Sequence, residues 1–99
     1  MPKQLTESEI KEKLKAAFWD INISKEDLFD IFSGKKESVY SVNQIKIYSR
    51  LLNSYDWYTI LSIIPLKKMN NVLKDDVLKL LWPKSISKRY YNAKRILFQ

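Results

Sequence analysis

The chain has 99 residues and a formal net charge of +7, and it contains neither Cys nor His. A chain of this length forms one domain. The absence of Cys excludes disulfides and thiolate chemistry, and the absence of His removes the usual general base and the commonest metal ligand. We therefore expect one non-enzymatic domain over residues 1–99, with residues 1–5 disordered and with no catalytic residue, cofactor or metal.

The same composition argues against a membrane segment. The longest apolar stretch, residues 60–66, is interrupted by Ser62 and Pro65, whereas a spanning helix needs roughly 20 apolar residues. No secretory signal is visible in the N-terminal sequence. The sequence thus predicts a cytoplasmic protein with no membrane partner.

Two helices are predicted in the first third of the chain. Thr6 and Glu9 have the spacing of a capping box, and apolar residues recur at helical spacing after them, which predicts a helix over 6–20. A second helix of about ten residues begins at Ser24. Gly34 follows its last apolar residue, where a left-handed C-cap favours glycine. Residues 35–38 are predicted to form a polar loop.

Two longer helices are predicted in the middle of the chain. Ser41 and Gln44 give a second capping-box match, which predicts a helix through about residue 53. Its apolar residues lie on more than one side, as in a central helix. The next helix covers 54–64 and ends before Pro65, because proline disfavours helical geometry in the preceding residue. The β-branched residues in 60–64 leave a strand as the alternative.

The remaining elements complete an all-α prediction. Short helices are expected over 66–73 and 75–82, and a last helix begins at Ser85 or Ser87 and nearly reaches the C-terminus. The break at 83–85 between two helices is typical of a helix-turn-helix, although a last helix that only closes the bundle fits equally well. We expect a compact single-domain bundle of five to seven short helices.

Charge is distributed unevenly along the chain. Residues 1–40 hold seven Lys and Arg against eight Asp and Glu, whereas residues 41–99 hold eleven against three. No acidic residue follows Asp76. Such a one-signed segment is typical of a surface that binds a polyanion. A solvated basic surface and a site for an acidic protein are the alternatives.

The last helix has two distinct sides when residues are placed 100° apart. Ile86, Tyr90, Ala93 and Leu97 fall on one side, flanked by Ile96, and are predicted to face the core. The other side carries Ser87, Lys88, Tyr91, Lys94 and Arg95. We interpret this side as a surface for duplex DNA, with Lys79 and Lys84 on phosphates.

Aromatic residues suggest a second function. Adjacent helical residues point about 100° apart, so one member of Trp57-Tyr58 and one of Tyr90-Tyr91 is expected near the surface. Exposed aromatics are typical of protein interfaces. The alternative to DNA binding is therefore an interaction module that binds an acidic partner through Trp19 and Trp57. A structural domain with no nucleic-acid role is the third possibility.

Short motifs carry a resemblance to a known family. They are Phe18-Trp19-Asp20, Arg50-Leu51-Leu52 followed by Asp56-Trp57, and Ser87-Lys88-Arg89. In this order they resemble a family of small all-helical bacterial proteins of unknown biochemistry that are associated with predicted nucleotidyltransferase toxins. The resemblance covers roughly residues 18–91 and implies an antitoxin-like regulatory partner with no catalytic residue.

Overall fold

The computed structural model describes residues 4–81 and 84–97. Within these residues the chain forms seven α-helices, one 3₁₀ turn and a two-stranded hairpin, which confirms the predicted helical bundle. The radius of gyration is 12.9 Å, as expected for a compact domain of this length. The elements are α1 (Glu7–Ala17), α2 (Lys25–Ser33), β1 (Ser38–Val39), β2 (Val42–Asn43), α3 (Gln44–Ser54), α4 (Trp57–Ile63), the 3₁₀ turn (Leu66–Lys68), α5 (Met69–Val72), α6 (Asp75–Leu78) and α7 (Lys84–Leu97).

Helices α1 to α4 each begin at a side-chain cap. Thr6, Ser24, Asn43 and Asp56 each accept a hydrogen bond from the backbone N–H three residues further along. The predicted capping box of α1 is confirmed, because the backbone N–H of Thr6 also donates to Oε1 of Glu9 at 3.0 Å. Each cap satisfies an N–H group that has no partner within its helix.

The predicted ends of two helices are also confirmed. Gly34 terminates α2 with a φ of +91°, in the left-handed region that glycine adopts without strain. Ile64, which precedes Pro65, has extended backbone, so α4 ends at Ile63. Residues 57–63 are helical, and the alternative of a strand in this segment is therefore wrong.

The segment before α3 is a β-hairpin that the sequence did not predict. Ser38 pairs with Asn43 and Val39 with Val42. Tyr40 and Ser41 at its tip have φ values of +51° and +68°, as a type I′ turn requires. Because the chain is extended up to Asn43, that residue caps α3 in place of Ser41.

The N-terminal arm and the end of α1 also differ from prediction. The backbone N–H of Leu5 donates to the carbonyl of Ser62 at 2.8 Å, and the carboxamide of Gln4 donates to the carbonyl of Leu61 at 2.6 Å. These contacts order residues 4 and 5 along α4, so the prediction of disorder is wrong for both; residues 1–3 lie outside the described residues. Helix α1 ends at Ala17 rather than at residue 20, because Phe18 leaves the helical geometry and is buried in the core.

The core surrounds α3, which contacts α1, α2, α4 and α6. This agrees with the central position predicted from its broad apolar surface. Helix α7 contacts α6 at the edge of the bundle, which leaves one long side of α7 free of the core. The largest wholly buried side chains include Leu14, Phe18, Leu28, Ile31, Ile47, Leu51, Ile60, Met69, Leu73 and Leu78.

Candidate nucleic-acid interface

Helix α7 is the predicted DNA-binding element, and its bounds differ from prediction. It begins at Lys84, whereas the sequence predicted a start at Ser85 or Ser87, and α6 is one turn that ends at Leu78 instead of residue 82. Residues 82 and 83 lie outside the described part of the chain. A single turn is too short to cross a DNA backbone as the first helix of a helix-turn-helix does. The interface is therefore built from α7.

The side of α7 that packs against the bundle is rotated slightly about the helix axis from the side that the sequence predicted. Tyr90 is buried and Ile86 and Ala93 are partly buried, as expected. Ile96 is exposed, however, while Ser87 and Lys94 are drawn toward the bundle. The side chain of Leu97 lies outside the described residues. The helix thus packs through the side between Ala93 and Ser87.

Ser87 was predicted to face DNA, and that prediction is wrong. Its side chain is only 8% exposed, and its Oγ donates to the carbonyl of Leu78 at 2.8 Å. The carbonyl of Leu78 also accepts the backbone N–H of Leu81 at 3.2 Å, so Ser87 adds a second hydrogen bond to this carbonyl at the end of α6. Ser87 therefore attaches α7 to α6.

Two of the predicted phosphate-binding lysines are engaged with α6. Nζ of Lys94 lies 3.4 Å from Oδ1 of Asp75, and Nζ of Lys79 lies 3.5 Å from Oδ1 of Asp76. Both pairs are partly or largely exposed, and such pairs contribute little free energy. Their main effect is that Asp75 and Asp76 offset the positive charge on this side of the helix.

The remaining predicted residues share the opposite side of α7. Lys84, Lys88, Tyr91 and Arg95 are exposed and spaced four, three and four residues apart, so they form one line along the helix. We call these four residues the outer strip. Among residues 4–81 and 84–97, no carboxylate forms an ion pair with its three cations.

A polar side chain that the sequence reasoning missed lies beside this strip. Asn92 accepts a hydrogen bond from Nη2 of Arg95 at 3.4 Å, and these two residues line a surface depression of about 370 Å³ with Tyr91 and Lys94. The sequence could have indicated Asn92, because the same angular projection places this residue, next to Tyr91, on the outer side of the helix. The depression combines cations with an amide and a phenol, which are groups that contact phosphates and base edges.

The two tryptophans of the alternative interface are in different environments. Trp19 is 82% exposed, as predicted. Trp57 is only partly exposed and packs on Tyr90, with ring centroids 6.3 Å apart, so the prediction that it is exposed is wrong. Tyr58, which is 71% exposed, takes the outward position instead.

A cleft of about 340 Å³ lies where Trp57 and Tyr90 meet, and it was not predicted. Asp56 and Arg89 supply its charged groups. Hydrogen bonds from the hydroxyl and backbone of Thr59 hold the pKa of the Asp56 carboxyl below its usual value, and burial raises the pKa of Tyr90. Both shifts move away from neutrality, so neither group exchanges a proton readily near pH 7.

Metal-binding clusters and membrane-spanning helices are both absent from the described residues. No group of three or more Asp or Glu side chains is placed to hold a metal ion. No helix within residues 4–81 and 84–97 combines the length and apolar character needed to cross a bilayer. Comparison with protein-family models, with curated proteins and with solved structures finds no match for the chain.

Proposed function

We propose that the chain is a non-enzymatic module that binds duplex DNA through the outer strip of α7. The proposal depends on one observation: Lys84, Lys88 and Arg95 lie in line on an exposed helix side, and no carboxylate of the described residues pairs with them. A row of unpaired cations is suited to a polyanion, because each cation that neutralises a phosphate releases a condensed counterion.

The dimensions and chemistry of α7 agree with this proposal. The outer strip extends over the eleven helical steps from Lys84 to Arg95 and is therefore ~16 Å long at the usual helical rise, and the major groove is wide enough to admit a helix. Tyr91, which is 38% exposed, and Asn92 add a hydroxyl and an amide for sugar, phosphate or base edges.

Lys79 and Lys94 have a smaller role than their sequence suggested. Lys79 must break its ion pair with Asp76, and Lys94 its ion pair with Asp75, before either can bind a phosphate. The carboxylate that is then left unpaired would repel the DNA. We therefore expect about three phosphate neutralisations rather than six. The corresponding slope of log affinity against log salt is about −3.

The test is binding of a fluorescent 20-base-pair duplex of random sequence, measured by anisotropy between 50 and 200 mM KCl. We expect a slope near −3 and at least a tenfold loss of affinity in Lys88→Glu/Arg95→Glu. The matched control is Lys67→Glu/Lys68→Glu, which changes two exposed lysines on the 3₁₀ turn and gives the same net charge.

Two results would overturn the proposal. The first is no binding at 50 mM KCl. The second is an equal loss of affinity in the control, since DNA would then respond to net charge rather than to the outer strip. Melting temperatures of both double variants show whether either substitution has disturbed the fold.

An antitoxin-like role and a cytoplasmic location are finer parts of the same proposal. The antitoxin-like role is supported by the resemblance of residues 18–91 alone. The cytoplasmic location follows from the proposed ligand. Co-purification of the chain with a nucleotidyltransferase encoded beside it would support the antitoxin-like role, and a neighbouring enzyme that does not bind it would contradict that role.

A further inference from the structure

Three exposed large apolar side chains lie on separate loops outside α7. Trp19 follows α1 and is 82% exposed, Tyr40 is at the hairpin tip and is 75% exposed, and Leu80 follows α6 and is 51% exposed. Single exposed apolar residues need no explanation. A partner surface is indicated when several of them border one feature of the molecule.

Leu80 and the sequence neighbours of Tyr40 and Trp19 meet at one groove of about 450 Å³ along α3. Leu80 lines it, as does Ser41, the residue next to Tyr40. Arg50 also lines it and binds Asp20, the residue next to Trp19, through two hydrogen bonds of 2.6 and 3.1 Å. We call this feature the α3 groove.

The α3 groove has an excess of positive charge. Lys46 and Arg50 line it, and no acidic residue does so among the described residues. The one carboxylate bound at its border is Asp20, whose pKa is lowered mainly by the hydrogen bond from Arg50 and to a smaller extent by the charge of Lys46. Arg50 is engaged by Asp20 and by the carbonyl of Ala17, whereas Lys46 forms no ion pair with a described residue and can accept another carboxylate.

The border residues fit protein recognition better than DNA binding. Trp, Tyr and Arg are the residues enriched in interface hot spots. Tyr40 and Ser41 keep positive φ values without glycine, and strained backbone of this kind clusters at functional sites. A second copy of this chain would bring another net charge of +7 to a cationic groove.

We propose that the α3 groove binds an acidic segment of a partner protein, with Trp19, Tyr40 and Leu80 contacting its apolar side chains and Lys46 its carboxylates. The surface is separate from the outer strip of α7, so this inference goes beyond the proposed function and does not require it. Electrostatic complementarity then provides specificity for acidic sequences.

The test uses a phage-displayed library of random 12-residue peptides, panned on the immobilised full chain in 150 mM salt. Enriched peptides are synthesised, and their affinities are measured by fluorescence anisotropy. We expect them to be acidic with at least one aromatic or aliphatic residue. Trp19→Ala and Lys46→Glu should each weaken binding at least tenfold, while Lys67→Glu should leave it unchanged as the charge-matched control.

Because Lys46 is partly buried, its variant needs a check of the fold. Lys46→Gln, which adds no negative charge beside Asp20, should weaken binding in the same direction, and melting curves should show that all variants remain folded. No enrichment, enrichment of neutral or basic peptides, or peptides insensitive to both Trp19→Ala and Lys46→Glu would overturn the proposal.

Competition with DNA separates this proposal from the previous one. Duplex DNA should not displace the peptides, and Lys88→Glu/Arg95→Glu should bind them normally. Displacement by DNA would mean that the α3 groove belongs to the DNA surface, and the acidic-partner proposal would then fail even if DNA binding were established.

Discussion

Helices in the two halves of the molecule are stabilised in different ways. Each of α1 to α4 begins at a side chain that caps it. The 3₁₀ turn, α5 and α6 have no side-chain cap, and each is only one turn long. The first half therefore forms helices that local sequence already favours, whereas the short elements of the second half depend on burial of their apolar residues.

Charge shows the same division. In the first half, Lys25 pairs with Glu12 and Lys36 with Asp27, at 2.5 and 2.6 Å. In the second half, the outer strip of α7 has cations without carboxylate partners among the described residues. The comparison teaches that ion pairs within the fold engage these two lysines of the first half, whereas in the second half they engage Lys79 and Lys94 but not the three cations of the outer strip.

The largest expected effect tests whether α6 depends on packing. Leu78→Ala should lower the free energy of unfolding by about 2–5 kcal/mol, because it leaves a cavity under an uncapped turn. Leu80→Ala makes the same change at an exposed position two residues away and should stay within about 0.5 kcal/mol. Urea denaturation measures both, and similar values would contradict the comparison.

The next effect tests the attachment of α7 to α6. Ser87→Ala removes the side-chain donor to the carbonyl of Leu78, which keeps its backbone hydrogen bond from Leu81, and should cost about 1–1.5 kcal/mol. Ser85 is exposed on the same turn, so Ser85→Ala should have little effect. Thermal and urea unfolding report the difference, and a neutral Ser87→Ala would show that this hydrogen bond does not stabilise the helix pair.

A smaller effect tests the caps of the first half. Thr6→Ala removes the capping box of α1 and should cost about 1 kcal/mol. Ser8→Ala, at an exposed position within the same helix, should be neutral or slightly stabilising because alanine favours helix. If the two variants unfold at the same urea concentration, the cap does not support α1.

The smallest expected effect is on the pH dependence of the free energy of unfolding. Hydrogen bonds from Arg50 and Lys36 lower the pKa values of Asp20 and Asp27 in the folded chain. The unfolded chain therefore binds more protons near pH 4, and stability is lost as the pH falls from about 4 toward the lowered values. Asp20→Asn should make unfolding free energy fall less steeply between pH 5 and 3, and an unchanged pH dependence would contradict this.

Sequence predicted those features that depend on residues close together in the chain. The capping box of Thr6 and Glu9 and the left-handed cap at Gly34 each need only one turn of helix to form. The hairpin could not be predicted in this way, because its tip has Tyr40-Ser41 where type I′ turns usually contain Asn or Gly. Because the hairpin was not predicted, Ser41 was wrongly predicted to cap α3 in place of Asn43.

For the proposed binding surface, angular projection predicted the exposed positions of Lys88, Tyr91 and Arg95, all of which face away from the bundle, as Lys84 does at the start of α7. It failed for Ser87 and Trp57, whose positions are decided by partners elsewhere in the sequence. Ser87 is drawn inward by the carbonyl of Leu78, and Trp57 packs on Tyr90. Helical periodicity contains no information about either contact.

If Tyr40 contacts a partner as proposed for the α3 groove, the turn at Tyr40 and Ser41 favours binding at the expense of stability. An Asn-Gly pair would adopt the same positive φ values with less conflict, and we expect it to stabilise the hairpin by ~1 kcal/mol. It would also remove the phenol that projects from the tip. Selection for heat resistance alone would therefore replace these two residues, and a thermostable redesign that changes them should be checked for loss of peptide capture.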